Sequence, residues 1–189
     1  MDIPQGTPVV YISFSAEINP TTTENLIAAM ANCANSKVQT VCLLLSTSGG
    51  IVMNGLNLYS VLKGMPFELI VHNVGNVDSI GNVVFLAGAK RYATQNATFM
   101  FHGVGFTAPN SRLEEKNLRE RLNGILSDQK RIGSIISQHT KLTGQQIAKL
   151  FREAQTKDAN FALSSGIIHD IRDVQIPKGC PVISLVFKR

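Results

Sequence analysis

Three apolar runs alternate with helix-like segments in the first half of the chain, and this order constrains the fold more than any other feature. The runs span Thr7 to Phe14, Val38 to Leu45 and Phe67 to Val74, and they read as buried strands. Between them, Thr21 to Thr23 before Glu24 form a helix-start signal, which predicts an Ala-rich helix that follows to about Asn35. A second helix is predicted from Ile51 to Leu62. The repeated strand–helix–strand order therefore predicts an α/β fold built from βαβ units around a largely parallel sheet.

Shorter elements complete the predicted order. After the third strand, the pattern predicts a helix from Ser79 to Ala87 and strands over Arg91 to Thr94 and Ala97 to Phe101. Near the C-terminus it predicts a helix after the Thr143–Gln146 capping box, a helix over Asp158 to Ser164, and strands over Ile167 to Val174 and Val182 to Phe187. The last strand follows a Pro- and Gly-rich segment, so we expect either an edge strand or an arm that reaches another subunit.

A long helical pattern runs from Arg112 to His139, and we place this helix at about residues 112–140. Apolar residues recur along it at spacings of three, four or seven and form one face, namely Leu118, Leu122, Ile125, Ile132 and Ile136. A helix of this length can project from a compact domain. Its apolar face then packs either on its own sheet or on a partner subunit, and the sequence leaves both alternatives open.

Composition favours a single globular domain over residues 1–189, with a C-terminal tail from about residue 175. The chain is 44% hydrophobic and 16% charged and lacks tryptophan, so aliphatic residues must fill the core. No apolar run reaches the roughly 18 residues of a membrane span. The N-terminus also lacks the pattern of a signal peptide. We therefore expect no membrane partner.

The net charge of +5 does not indicate a nucleic-acid partner. Lysine and arginine are scattered, and Lys90-Arg91 and Lys188-Arg189 are the only adjacent pairs, whereas a binding face needs a basic cluster. The three cysteines, Cys33, Cys42 and Cys180, have neither metal-site nor redox-motif spacing. An odd number of unpaired thiols favours a reducing cytoplasm. We also predict no metal and no cofactor, because the chain has neither a ligand cluster nor a nucleotide-binding loop.

Three groups with complementary chemistry follow the ends of predicted strands. Ser79 lies at a strand-to-helix turn, His102 ends the apolar run Phe99 to His102, and Ser48-Gly49-Gly50 breaks the chain after the second strand. In open parallel sheets, ligands bind at the carboxyl ends of the strands, so the topology allows these groups to meet. Ser79 is then a candidate nucleophile, His102 its base, and the glycine turn a source of N–H groups for an oxyanion. Together they suggest a serine hydrolase.

These motifs, with Ala87 to Ala93 after the serine turn and the long helix downstream, resemble the proteolytic subunit family of the ATP-dependent Clp protease over roughly residues 7–175. The resemblance implies the ClpP/crotonase fold, a spiral of βαβ units with a long protruding helix. It implies a serine endopeptidase that cleaves peptides or unfolded proteins through an acyl-enzyme. It assigns Ser79 as nucleophile, His102 as base, and the N–H groups of Gly50 and Ile80 as oxyanion donors.

The resemblance also implies a homo-oligomeric ring, with stacked heptamers as one form, and an AAA+ ATPase as a partner. Only Met1 to Gly6 precede the first predicted strand, so we expect a reduced axial segment and leave the need for an ATPase open. The tail from Pro177 to Arg189 has no match in the family pattern. Asp78 stands beside the nucleophile where the family has small residues.

The third member of the triad is open in the sequence. The resemblance favours Asp158 as the acid, although Asp158 also fits the N-cap of the helix that follows it. Asp170 is the second candidate. Two alternatives to a peptidase therefore stand: a catalytically silent subunit, and a crotonase-type acyl-CoA enzyme, in which paired backbone N–H groups would stabilise a thioester enolate.

Overall fold

The computed structural model describes residues 3–107 and 112–187. Within them, eight strands share one sheet and six α-helices surround it. The strands are β1 Val9–Ser15, β2 Thr40–Thr47, β3 Glu68–Asp78, β4 Lys90–Ala93, β5 Thr98–Met100, β6 Thr156–Asp158, β7 Asp170–Ile171 and β8 Val182–Leu185. The helices are α1 Pro20–Asn35, α2 Val52–Lys63, α3 Gly81–Phe85, α4 Glu115–His139, α5 Gly144–Glu153 and α6 Ala159–Ser164.

The first three strands form the parallel sheet that the sequence predicts. β1 pairs with β2, and β2 pairs with β3, both in parallel, while α1 and α2 provide the crossovers. Inward-facing side chains of β1 are fully buried, and residues one helical turn apart on α1 cover them. These residues are Val10, Ile12 and Phe14 on β1 and Leu26, Met30 and Cys33 on α1. The predicted α/β alternation is therefore confirmed.

β3 divides the sheet into two branches. The first half of β3 pairs with β4, through Ile70 to Asn73, and its last residues pair with β5, through Asn76 to Asp78. At eleven residues, β3 is long enough to reach past β4 and to pair with a second strand. This fork brings the end of β5 beside the end of β3, so residues that follow these two strands become neighbours.

The long helix has two environments along its length. Its C-terminal half packs on the domain, where Ile132 and Ile136 are only 7% and 1% exposed. Its N-terminal half carries Leu118, Leu122 and Leu126, which are 49%, 54% and 55% exposed. The helix begins at Glu115, with Glu114 as its cap, and not at Arg112 as predicted. The first sequence alternative, packing on its own domain, therefore holds for the C-terminal half of α4, and packing of the N-terminal half on a partner subunit stays a prediction.

The C-terminal tail forms an edge strand on its own sheet. β8 pairs in parallel with β1, and the hydroxyl group of Tyr11 donates to the carbonyl oxygen of Gln175 at 3.0 Å. Phe187 packs edge-on against Phe14 with 5.8 Å between the ring centroids. Of the two sequence alternatives, the structure has the edge strand. Lys188 and Arg189 lie outside the described residues.

Several predicted boundaries were wrong. α1 begins at Pro20, because the side chain of Asn19 accepts a hydrogen bond from Thr22 N at 3.0 Å and caps the helix. The strand predicted from Ile167 to Val174 is reduced to β7, since Ile167 N donates to the carbonyl oxygen of Ala162 at the end of α6. No helix among the described residues combines the length and apolarity that crossing a bilayer requires.

Candidate active site

Ser79 occupies a strained turn between β3 and α3. Its φ of 56° lies in the left-handed region, which is uncommon for a residue with a side chain and costs of order 1–3 kcal/mol. Two backbone hydrogen bonds hold the turn: Ser79 N donates to the carbonyl oxygen of Met100 at 2.9 Å, and Asn82 N donates to that of Ser79 at 3.1 Å. The sharp turn removes the Ser79 side chain from the sheet and places it on the wall of a cleft.

The glycine turn lies directly against Ser79. A Cβ atom at Gly49 would stand 2.7 Å from the Cβ atom of Ser79, and one at Gly50 would stand 2.1 Å from the carbonyl oxygen of Ile18. Gly49 and Gly50 have φ values of 86° and 146°, which glycine adopts far more readily than other residues. This sequence of two glycines therefore lets the chain pass between β1 and the nucleophile turn.

The N–H groups of Gly50 and Ile80 are both available to a ligand. Ile18 N donates to the carbonyl oxygen of Gly49 at 2.7 Å, and Ile51 N donates to that of Ile18 at 2.8 Å. Because N–H directions alternate along an extended segment, the intervening Gly50 N–H faces away from Ile18. In the described part of the chain, neither Gly50 N nor Ile80 N donates to another residue. Both residues line the cleft that Ser79 borders.

His102 follows β5 and borders the same cleft. The amides on either side of it are fixed, because Phe101 N donates to the carbonyl oxygen of Gln155 at 3.1 Å and Gly103 N donates to that of Phe151 at 3.0 Å. The fork of β3 is what brings this segment to Ser79. The structure therefore brings together the four predicted residues Gly50, Ser79, Ile80 and His102.

The cleft has a volume of about 360 Å³, and its walls are polar and apolar in nearly equal parts. The wall opposite the polar groups comes from the buried half of α4, through Ile132 and Ile136, and from Phe151 on α5. The segment from Gly103 to Thr107 forms its rim. The apolar wall could accept an apolar side chain of a substrate, next to the polar groups that would act on the bond to be cleaved.

The two candidate acids lie elsewhere. Asp158 pairs with Thr98 across the β5–β6 ladder. Thr98 lies four residues before His102, a separation of about 13 Å along a strand. Its carboxylate accepts from Phe161 N at 2.8 Å and caps α6. The carboxylate of Asp170 accepts from Ile171 N at 2.9 Å, on a strand that pairs with β4. Among residues 3–107 and 112–187, no hydrogen bond or ion pair joins His102 to a carboxylate or to Ser79.

Asp78 is turned toward a polar network beside the glycine turn. Its carboxylate accepts from the side-chain amide of Asn76 at 2.7 Å, and the same amide donates to the carbonyl oxygen of Thr47 at 3.1 Å. The hydroxyl group of Ser46 donates to the Asn76 carbonyl oxygen at 3.0 Å. Asp78 is not part of the cleft lining, so its charge is directed to the loop that precedes Gly49.

Three other histidines lie outside the cleft and have structural partners. His72 Nε2–H donates to the carbonyl oxygen of Arg172 at 2.9 Å, His139 shares a 2.7 Å hydrogen bond with Tyr59, and His169 accepts from the Arg91 N–H at 3.0 Å. Burial lowers the pKa of each of these imidazoles. Their positions leave His102 as the histidine that borders Ser79.

Asn76 and Asn82 were not predicted as site residues. Asn76 holds Asp78, and the side chain of Asn82 donates to the carbonyl oxygens of Ser79 and Met100. The sequence signal for Asn82 was its place inside the apolar run from Ile80 to Phe85, because asparagine is seldom buried among apolar residues.

Comparison with known proteins relates the chain to one family. The family model described as Clp protease matches residues 9–175. An ATP-dependent Clp protease proteolytic subunit 1 from Leifsonia xyli subsp. xyli is 27% identical over 146 residues, which cover 74% of this chain and 71% of the relative. A protein of the same name from Streptomyces coelicolor is 26% identical over 148 residues, covering 77% and 66%.

The fold has a clear counterpart among solved structures. A mutant ClpP1 from Listeria monocytogenes superposes with a TM-score of 0.76 at 22% identity, covering 88% of this chain and 92% of the other. This likeness confirms the predicted ClpP/crotonase-like α/β fold. The match of the family model over most of the sequence confirms the predicted relationship, and the chain belongs to the Clp protease family.

Proposed function

We propose that this protein is a serine endopeptidase that cleaves peptides or unfolded proteins through an acyl-enzyme. The observation that carries the proposal is that Ser79, His102 and the unpartnered N–H groups of Gly50 and Ile80 line one cleft. A nucleophile, a base and two oxyanion donors are the parts that acyl transfer requires. Membership of the Clp protease family supports the same reaction class.

The reaction follows from these groups. His102 accepts the proton of the Ser79 hydroxyl group while the Ser79 oxygen attacks the peptide carbonyl carbon. The resulting oxyanion accepts hydrogen bonds from Gly50 N–H and Ile80 N–H, and each such donor is typically worth about 2.7–4 kcal/mol. The tetrahedral intermediate collapses, the C–N bond breaks, and His102 gives its proton to the leaving amine. Water then hydrolyses the Ser79 ester with His102 again acting as base.

We propose that Ser79 and His102 work without a bonded acid in this conformation. Asp158 was the sequence-based candidate and Asp170 the second, but both carboxylates already accept backbone N–H groups at other places in the fold. Residual catalysis from oxyanion donors and substrate binding is substantial even when a triad member is missing. The pair would therefore give a slow but measurable peptidase.

A catalytically silent subunit is the second candidate function. It is favoured by one observation: in the described ranges, the hydroxyl group of Ser79 makes no hydrogen bond with His102. Catalytic hydrogen bonds are often long before substrate binds, so this observation carries less weight than the convergence of the four groups. The crotonase-type alternative has no comparable support.

We propose that the exposed half of α4 is an assembly surface. Leu118, Leu122 and Leu126 recur every four residues and form a contiguous exposed stripe. A second copy of the chain would cover it, and a closed ring, with stacked heptamers as one form, would enclose the clefts. Oligomeric rings are typical of this family, which supports the proposal.

An ATPase partner is a separate proposal. The curated relatives carry the words ATP-dependent in their names, which supports an AAA+ ATPase that feeds unfolded chains to the ring. We expect short peptides to be cleaved without ATP, since an extended short peptide needs no unfolding before it enters the cleft. The cysteines in the structure are all free thiols, which supports a reducing cytoplasm as the location.

A peptide-hydrolysis assay on the assembled protein tests the function. Fluorogenic peptides with an apolar residue before the scissile bond should be cleaved by the wild type, and cleavage should disappear in Ser79→Ala and in His102→Ala. An acyl-CoA substrate serves as the control for the crotonase-type alternative. Equal cleavage by wild type and Ser79→Ala would mean that the activity comes from a contaminant or another site.

A further inference from the structure

Asn82 lies beneath the nucleophile turn in an apolar setting. It belongs to the first turn of α3, between Gly81 and Val83, and only 2% of its surface is exposed. Every other residue of α3 is apolar or glycine, and all are buried. Asparagine is seldom buried this deeply unless its amide is needed.

The side chain of Asn82 joins the two segments that carry the nucleophile and the base. Its Nδ2 donates to the carbonyl oxygen of Ser79 at 3.1 Å and to that of Met100 at 2.8 Å. Because both partners are acceptors, only the NH₂ side of the amide can face them, and this fixes the orientation of the side chain. The carbonyl oxygen of Met100 also accepts from Ser79 N at 2.9 Å, so the three groups form one cluster.

This cluster links the chain segments that carry Ser79 and His102. Met100 is the last residue of β5, and His102 follows two residues later. Backbone hydrogen bonds hold the left-handed conformation of Ser79, and Asn82 adds a side-chain hydrogen bond to the Ser79 carbonyl oxygen. A displacement of β5 relative to the turn would move the base away from the nucleophile.

The other end of the Asn82 amide adds no hydrogen bond within the described residues. Its Oδ1 atom is buried and has no hydrogen-bond partner among the described residues. Leaving a buried acceptor unpaired opposes folding, whereas an apolar residue at this position would avoid that cost. A buried polar group that is only half satisfied is therefore an unfavourable choice on stability grounds alone.

We propose that Asn82 is a positioning residue that holds the Ser79 turn and the end of β5 at the separation proton transfer requires. The inference rests on the proposed peptidase function and deepens it. Asn82 does not touch the substrate in this account. It acts through the carbonyl oxygens of Ser79 and Met100, and its loss should affect the chemical step more than substrate binding.

Asn73 provides a matched control. It is also a fully buried asparagine on β3, and its Nδ2 donates to the carbonyl oxygen of Thr98 at 2.8 Å, at the other end of β5. Its Oδ1 accepts from Gly75 N at 3.0 Å, so both ends of its amide are satisfied. Asn73 thus resembles Asn82 in burial and in joining β3 to β5, but it lies six residues before Ser79.

The test compares Asn82→Ala, Asn82→Asp and Asn73→Ala by peptide hydrolysis and thermal unfolding. For Asn82→Ala we expect kcat to fall by about 10–100-fold with KM within twofold, because a misplacement of about 1 Å can cost about 100-fold. Its Tm should stay at or above that of the wild type. Asn82→Asp should lose at least as much kcat, since a carboxylate oxygen would face two carbonyl oxygens. Asn73→Ala should lower Tm and change kcat less than Asn82→Ala.

Amide hydrogen exchange separates this proposal from the proposed function. In Asn82→Ala, exchange should accelerate in peptides that contain residues 79–82 and 98–103, whether or not the wild type is active. An inactive wild type with this exchange result would overturn the peptidase and keep the positioning role. Unchanged exchange, unchanged kcat, or a kcat loss that parallels a loss of Tm would overturn the positioning role.

Discussion

Replacing Gly50 with alanine tests the oxyanion turn most severely. The added Cβ would lie 2.1 Å from the carbonyl oxygen of Ile18 and 2.9 Å from the Ile18 N and C atoms. Carbon and oxygen need about 3.3 Å, so the turn or Ile18 must move by about 1 Å. Ile18 is fully buried and forms hydrogen bonds with Gly49 and Ile51, the residues on either side of Gly50. We therefore expect the glycine turn to move and Ile18 to stay in place.

That displacement should remove one oxyanion donor. A donor acts at 2.7–3.1 Å from the oxyanion, and its loss typically costs about 100–1,000-fold in kcat. An alanine held at the φ of 146° found at residue 50 would also carry backbone strain of about 1–3 kcal/mol, which lowers the free energy of unfolding. We therefore expect Gly50→Ala to lose at least about 100-fold in kcat on a fluorogenic peptide, together with a lower Tm.

Gly6→Ala is the matched control for strain. Gly6 has a φ of 72°, and no atom lies within 4 Å of the position its Cβ would take, so the substitution introduces strain without a clash. It should lower Tm with kcat unchanged. A folded Gly50→Ala whose kcat stays within threefold of the wild type would refute the assignment of Gly50 as an oxyanion donor.

Three further predictions concern the acid, the assembly surface and pH. Asp158→Asn should keep the cap of α6, because asparagine also caps helices, and kcat should stay within about threefold; a loss on the order of 10⁴-fold would instead identify Asp158 as the orienting acid. Leu122→Glu should shift the native mass from oligomer to smaller species, whereas Asn123→Glu, on the neighbouring exposed position, should not; an unchanged mass for Leu122→Glu would contradict the α4 surface. Burial lowers the folded-state pKa of His72, His139 and His169. Below the ordinary histidine pKa near 6.5, the unfolded chain therefore binds more protons than the folded chain. The stability they contribute is therefore present above about pH 6.5 and is lost as the pH falls from there toward the lowered values. Tm should be lower at pH 5.5 than at pH 7.5, and a Tm that is equal or higher at pH 5.5 would contradict this.

The alternating architecture could be predicted because its cause is local. Strands β1 and β2 are largely apolar runs, the first half of β3 contains the apolar run Leu69 to Val71, and α1 carries its apolar residues at helical spacing. Each element is therefore visible in a short window of sequence. The fork of β3 could not be predicted in the same way. Which strand pairs with which half of β3 depends on contacts between residues that are far apart in sequence.

The candidate site likewise has residues that the sequence could predict and residues that it could not. Ser79, His102 and the glycine turn follow strand ends, and ligands bind at the carboxyl ends of parallel strands, so their meeting at one edge of the sheet could be predicted. The role of Asp158 could not be predicted in the same way. A cap and a catalytic acid look alike in sequence, and only the register of β6 against β5 separates Asp158 from His102. Asn82 was missed because its role depends on two carbonyl oxygens brought together by the fork.

Labelling of Ser79 tests the central claim most directly. A fluorophosphonate probe reacts only with a serine whose hydroxyl group is activated by a base and whose adduct is stabilised by oxyanion donors. The assembled wild type should be labelled on the peptide that contains Ser79, as located by mass spectrometry, and Ser79→Ala should not be labelled. His102→Ala should fold and be labelled far more slowly. A folded, assembled wild type that stays unlabelled would contradict the account.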